Sequence, residues 1–204
     1  LVRQKNILSV IMQTLFIVAA VSIIWIVFGY SWAFDTSFAE QGHPLAAVIG
    51  GFDKAFLDGI GLDTLTTGNI PELTFVMFQC MFALITPALI LGAFAERIKF
   101  SGYTVFILLW VVLAYLPMAH WVWGGGFLQQ MGAIDFAGGT VVHINAGISA
   151  LVMAIMLGKR EDYRVGHPIL PHNITFVFLG TSFLWLGWFG FNAGSGLAAD
   201  GLAA

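Results

Sequence analysis

Five apolar runs, at about 7–34, 73–95, 101–122, 136–157 and 174–195, make up most of this chain. Each is long enough to cross a bilayer as a helix, which takes roughly 20 residues. Backbone N–H and C=O groups find no water in hydrocarbon, so continuous runs of this kind fold as helices. Outer-membrane barrels would show alternating segments of roughly ten residues instead. The chain is 59% hydrophobic and 9% charged, whereas a soluble domain is about a quarter charged. The 24 glycines suit helices that pack closely in lipid. A single cysteine, Cys80, excludes an internal disulfide and a cysteine-based metal cluster. The expected fold class is an all-α, polytopic membrane bundle, one transmembrane domain over 1–204.

Charge orients the bundle. Arg3, Lys5, Arg97, Lys99, Lys159, Arg160 and Arg164 fall on one side if each run crosses once. Lys54 alone lies on the other, with Asp35, Glu40, Asp53, Asp58, Asp63, Glu72 and Asp135. The positive-inside rule places residue 1 on the cytoplasmic side and the 35–72 loop outside. The expected location is the cell membrane, multi-pass, which is the inner membrane if the source is bacterial. The 35–72 loop is rich in Gly, Asp and Thr and reads as a folded outer cap. Leu1 stands directly before a spanning run, without an initiator methionine or a signal-peptide layout. The chain is therefore expected to be an internal fragment of a longer protein.

"DFAGGTVVHINAG", 135–147, puts His143 near the middle of the fourth run. Asp135 is placed to cap the helix start, where its carboxylate can accept from free N–H groups and its charge suits the helix dipole. Eight residues on, His143 lies about 12 Å deeper. Gly139, Ala146, Gly147, Ala150 and Ala154 share roughly its face. One reading is a buried histidine that helps helices pack. The other is a group lining a path through the membrane, since ionisable residues within spans usually face a cavity or a partner. A neutral imidazole donates at one nitrogen and accepts at the other.

Aromatic residues collect at the outer ends of the runs. "HWVWGGG" carries Trp121, read as an interfacial-belt residue, and Trp123, which three glycines can aim over a cavity mouth. In "LGWFGFNAGSG", Trp188, Phe191 and Ser195 share a face, and Gly187, Gly190 and Gly194 form an adjoining small ridge. Phe78 and Phe82 share a face of the second run. Core packing is the usual fate of such phenylalanines. The combination also has a chemical logic. An indole face attracts a small cation, a serine hydroxyl accepts a hydrogen bond, phenylalanines beneath form a constriction that hydrated ions resist crossing, and an imidazole lies below.

These stretches resemble the ammonium transporters, the Amt/MEP/Rh superfamily, and the Amt branch in particular. "DFAGGTVVHINAGISALVMAIMLGKR" (135–160) resembles the family signature; "FALITPALILGAFAERIKF" (82–100), "LPMAHWVWGGG" (116–126) and "GWFGFNAGS" (187–195) match further. The 35–72 loop is unmatched in detail. The resemblance implies the ammonium-transporter fold: eleven spanning helices, an inverted repeat of five plus five, and a homotrimer with one pore per subunit. The chain resembles helices two to six of that plan, so about five are present. Helix one, everything after helix six and the second pore histidine are not in it.

By resemblance, Trp123 and Ser195 form an external ammonium-binding site. Phe82 and Phe191 form a stacked gate, with Phe78 in the vestibule. His143 is the first of a pair of pore histidines, and Asp135 plays a structural and electrostatic part. The implied function is passage of ammonium or ammonia, with methylammonium as a candidate second substrate, and no enzymatic activity, cofactor or metal. The alternatives are an ammonium-binding sensor module of a signalling protein and a truncated fragment that does not transport. A haem-binding reading would need His120 and His143 as ligands, and these lie at opposite ends of a hairpin. The expected partners are the lipid bilayer and, by resemblance, a PII-type regulatory protein on the cytoplasmic face; the basic "GKREDYR" loop lies on that side, its charge reading first as ordinary positive-inside charge, and no nucleic acid is expected.

Overall fold

The computed structural model describes residues 2–166, 168 and 170–204, and Asp162 by its backbone alone. Residue 1, to which the sequence assigns the cytoplasmic side, falls outside that set. Among the described residues, five helices are long and apolar enough to cross a membrane. The β pairing described is one isolated bridge, Leu65 to Pro71.

Three of the five long helices contain a π turn. The first runs Ile7–Ile24, widens over Trp25–Gly29 and ends with Tyr30–Phe34. The second, Glu72–Phe94, continues unbroken through Pro87. The third runs Phe100–Trp110, Val111–Tyr115 as a π turn, and Leu116–Trp123. Pro117 explains that widening: it has no N–H to return to the Leu113 carbonyl, and helices adjust locally before such a residue. The fourth opens as a π turn, Gly139–Ile144, and continues as Asn145–Leu157. The fifth is Ile174–Gly194, its first turn capped by the Asn173 side chain accepting from Phe176 N.

The second helix is the axis of the core. Its Val76, Ala83, Ile90 and Phe94 are buried against Ile17, Val21 and Trp25 of the first helix, Tyr103, Ile107, Val111 and Tyr115 of the third, and Val141, Val142 and Ala146 of the fourth. Lipid is as apolar as these side chains, so close packing and interhelical hydrogen bonds hold the bundle rather than escape from water. The Trp25 indole donates to Val76 O at 3.0 Å, the Tyr103 hydroxyl to Gln13 O at 2.6 Å, and the Trp110 indole to Ser149 Oγ at 2.8 Å. The fifth helix differs, with no buried residue along its length.

Both ends are tied by buried carboxylates. On the face that carries the 35–72 loop, Asp35 accepts from Ser37 N at 3.0 Å, Ser37 Oγ at 2.8 Å and Asp53 N at 2.8 Å. Glu72 accepts from the Tyr30 hydroxyl at 2.8 Å and pairs with Lys54. At the opposite end Arg3 holds Glu96 through its backbone N at 2.9 Å, Nε at 2.8 Å and Nη2 at 2.7 Å. Glu96 adopts a left-handed backbone, φ 69°, which turns the chain sharply after the second helix.

Candidate functional site

The start of the fourth helix is built by its first residues. Gly138 has φ 98° and occupies the N-cap position, so the helix begins at Gly139, three residues later than the apolar run suggests. Asp135 caps this start from outside it. Oδ1 accepts from Gly138 N at 2.6 Å and Gly139 N at 2.7 Å; Oδ2 accepts from Thr140 N at 2.7 Å and Val141 N at 2.9 Å. One carboxylate thus satisfies four donors that a helix start leaves free. The sequence reading puts Asp135 itself at the N-cap; the structure puts Gly138 there, and Asp135 reaches the free N–H groups from three residues earlier because of the left-handed turn at Gly138.

The same loop positions the indole of Trp123, whose Nε1 donates to Asp135 O at 2.8 Å. With the N–H so used, the ring is fixed in plane and offers its face. Phe82 meets that ring edge-on, with centroids 5.5 Å apart at 85°. Phe78 meets Phe82 at 5.0 Å and 70°. Gly194 lets the fifth helix approach here: a Cβ on it would lie 2.8 Å from Phe78 Cε2. By contrast, Gly187 and Gly190, the rest of the expected small ridge, face open space.

Phe191 completes the group. Its ring lies 4.3 Å from Phe82 at 30° and 5.0 Å from Trp188 at 27°. His143 faces Trp188 at 5.8 Å and Phe191 at 6.5 Å. One turn beyond Phe191, Ser195 Oγ donates to Phe191 O at 2.8 Å, which leaves its lone pairs as acceptors.

Two cavities open beside this aromatic cluster, and Asp135 lines both. One, of about 350 Å³, is lined by Trp123, Ser195, Phe78, Phe82 and Asp135, together with Phe34, Phe75 and Gln79. The other, of about 370 Å³, is lined by His143, Asp135, Thr140, Trp188 and Asn192. Trp123, Ser195, Phe78 and Phe82 therefore share a cavity, and His143 lines the other, which meets the first at Ile134, Asp135 and Phe136. His143 is exposed on this chain.

His120 is the other histidine near the site and is buried. Its Nδ1 lies 3.1 Å from Ala33 O and its Nε2 2.9 Å from Ala46 O. Both nitrogens face carbonyls, so this ring ties the third helix to the first helix and the outer loop and has no nitrogen open to a haem iron. Trp121 donates to Val48 O at 3.1 Å, an anchor for the same loop. Among the described residues, no group of three His, Cys, Asp or Glu side chains comes together to hold a metal ion.

Sequence reasoning did not single out Gln79, Phe75 or Phe34. Phenylalanines are too common in such runs to stand out, but an amide inside an apolar run is a signal in itself.

Long apolar helices around an aromatic cluster, with a polar-rimmed cavity at one end, define a polytopic helical membrane protein. The chain matches the Ammonium Transporter Family over residues 1–204 and belongs to that family. It is 48% identical over 204 residues to an ammonium transporter of Bacillus subtilis (strain 168), an alignment covering 100% of this chain and 48% of the relative. It is 49% identical over 203 residues to an ammonium transporter of Aquifex aeolicus (strain VF5), covering 99% and 45%. Among solved structures it resembles Mep2 of Candida albicans, with a TM-score of 0.73 and 35% identity over 91% of this chain and 39% of that one. Mep2 of Saccharomyces cerevisiae gives 0.74 and 36% over 91% and 40%. The chain spans about half the length of the curated relatives it matches.

Proposed function

We propose that this chain carries the outer half of an ammonium conduction path. The observation that carries the reading is the Phe82–Phe191 pair, 4.3 Å apart, with Phe82 in the wall of a cavity lined by Trp123 and Ser195 and His143 6.5 Å from Phe191. Ammonium is held against the Trp123 ring face and the Ser195 hydroxyl, with Phe78 in the vestibule. Passing the paired rings strips its water, because an apolar constriction gives a hydrated ion no replacement partners. Beyond them the imidazole of His143 takes or relays the proton and lets ammonia continue. Potassium ion has no proton to lose and is refused at that step. Asp135 acts through the backbone it holds and through its field. Methylammonium fits the same chemistry.

The reading includes a cell-membrane location with the 35–72 loop outside, a homotrimer, and a PII-type regulator on the face carrying Arg160 and Arg164. The supports for it are family membership, the five apolar helices and the basic residues gathered at one end of the bundle.

The test is ammonium-evoked current across proteoliposomes containing the protein, with potassium as control. Wild-type protein gives a saturable, ammonium-selective current, and His143→Ala loses either the current or the discrimination against potassium. Unchanged transport and selectivity in that variant would remove His143 from the mechanism.

A further inference from the structure

Gln79 belongs to the second helix, next to Phe78, and lines the outer cavity. It is 7% exposed, and its Oε1 is buried without a hydrogen-bond partner in the protein. Buried polar atoms are almost always partnered. A methionine or leucine would fill the same space between Phe75 and Phe82 without that penalty, so packing does not account for an amide here.

The other polar groups of the cavity are largely committed. The Asp135 carboxylate accepts from four backbone amides. The Trp123 N–H is spent on Asp135 O, and Gln129 Oε1 accepts from Gly125 N. Ser195 keeps acceptor capacity. An ammonium ion brings four N–H donors, and one hydroxyl answers only one of them. We propose that Gln79 is the second acceptor of this cavity. Half a turn of its amide presents the oxygen to the ion, and this contact favours ammonium over methylammonium. Methylammonium can reach both acceptors with its three N–H donors only in orientations that turn its methyl group to the rings, so it gains less from the second acceptor. The inference rests on reading the cavity as an ammonium site.

The experiment measures half-saturating concentrations for ammonium and methylammonium in proteoliposomes of the full-length protein, with Ser195→Ala as reference. Gln79→Leu is expected to raise the ammonium value roughly tenfold, the scale of one hydrogen bond from a charged donor, and the methylammonium value much less. The preference between the two ions then narrows. Gln79→Met, unbranched and of similar length, gives the same result if the leucine variant does not reconstitute. If both Gln79 variants keep wild-type values while Ser195→Ala weakens both ions, Gln79 is a packing residue and the proposal fails alone. If Ser195→Ala is also unchanged, or wild-type protein passes no ammonium current, the cavity reading fails and the proposal falls with it.

Discussion

The Phe82 and Phe191 rings lie 4.3 Å apart, tilted by 30°, yet they are held very differently. Phe82 is 1% exposed, on the helix at the centre of the core. Phe191 is half-buried, on a helix with no buried residue. Truncating Phe82 leaves a cavity among Phe78, Trp123 and Phe191, at a cost on the order of 3 kcal/mol. Truncating Phe191 leaves space that lipid or solvent can fill. Phe82→Ala is expected to lower the thermal midpoint of the detergent-solubilised protein by several degrees more than Phe191→Ala. Equal shifts would mean that the fifth helix is packed as firmly as the second.

Asp135 should matter first for stability. Replacing it with alanine strands four N–H donors at a helix start, whereas asparagine keeps one oxygen acceptor near two of them. Loss of a cap costs about 1 kcal/mol, and loss of hydrogen bonds to a charged acceptor costs more, roughly 1.5–3 kcal/mol each before relaxation. The expected order of thermal midpoints is wild type, Asp135→Asn, Asp135→Ala. The indole of Trp123 hangs on the same loop, so its fluorescence spectrum should shift in the same order. An alanine variant as stable as wild type would show that water replaces the carboxylate without loss.

Gly138 needs its missing side chain. Its φ is 98°, and a Cβ would stand 2.7 Å from Val142 Cγ2. Gly138→Ala combines backbone strain with a collision one helical turn from His143, for a cost of about 1–3 kcal/mol. Reduced yield of folded protein is expected, together with faster proteolysis near residue 138. Gly147→Ala is the control, since nothing lies within 4 Å of a Cβ there.

Some of this site was written in the sequence and some was not. Run length and charge were enough for five spanning helices and the all-α class, because hydrocarbon admits few alternatives. The i, i+3, i+4 spacing brought Phe78 to Phe82 and Trp188 to Phe191. The register between helices came through the family resemblance and not from spacing: Phe82 against Phe191 depends on how two helices separated by a hundred residues slide past each other. The π turns were not legible, since Val111–Tyr115 reads as ordinary helix until the effect of Pro117 is seen. The Trp123 bond ends on a backbone carbonyl, Asp135 O, whose direction depends on the loop and not on the side chain.

The Arg3–Glu96 pair makes a prediction for acid. Burial alone would push the Glu96 carboxyl up, its side chain being 1% exposed. Hydrogen bonds from Arg3, with Asn6 adding another, and the charge of Arg3 outweigh burial and hold it down at about 2, against an ordinary value of 4.5. A depressed folded-state value means that the ionised form stabilises the fold. That contribution is complete above the unfolded-state value and fades as pH falls from about 4.5 towards 2. Glu96→Gln should therefore lower the thermal midpoint at pH 7 and flatten its decline between pH 5 and about 3. Arg3→Gln should do much the same, and the double variant should add little, because the two side chains act as one pair. Thermal scans of wild type and the three variants across that pH range read out the coupling. Parallel curves for wild type and Glu96→Gln would mean that the pair contributes nothing to acid sensitivity.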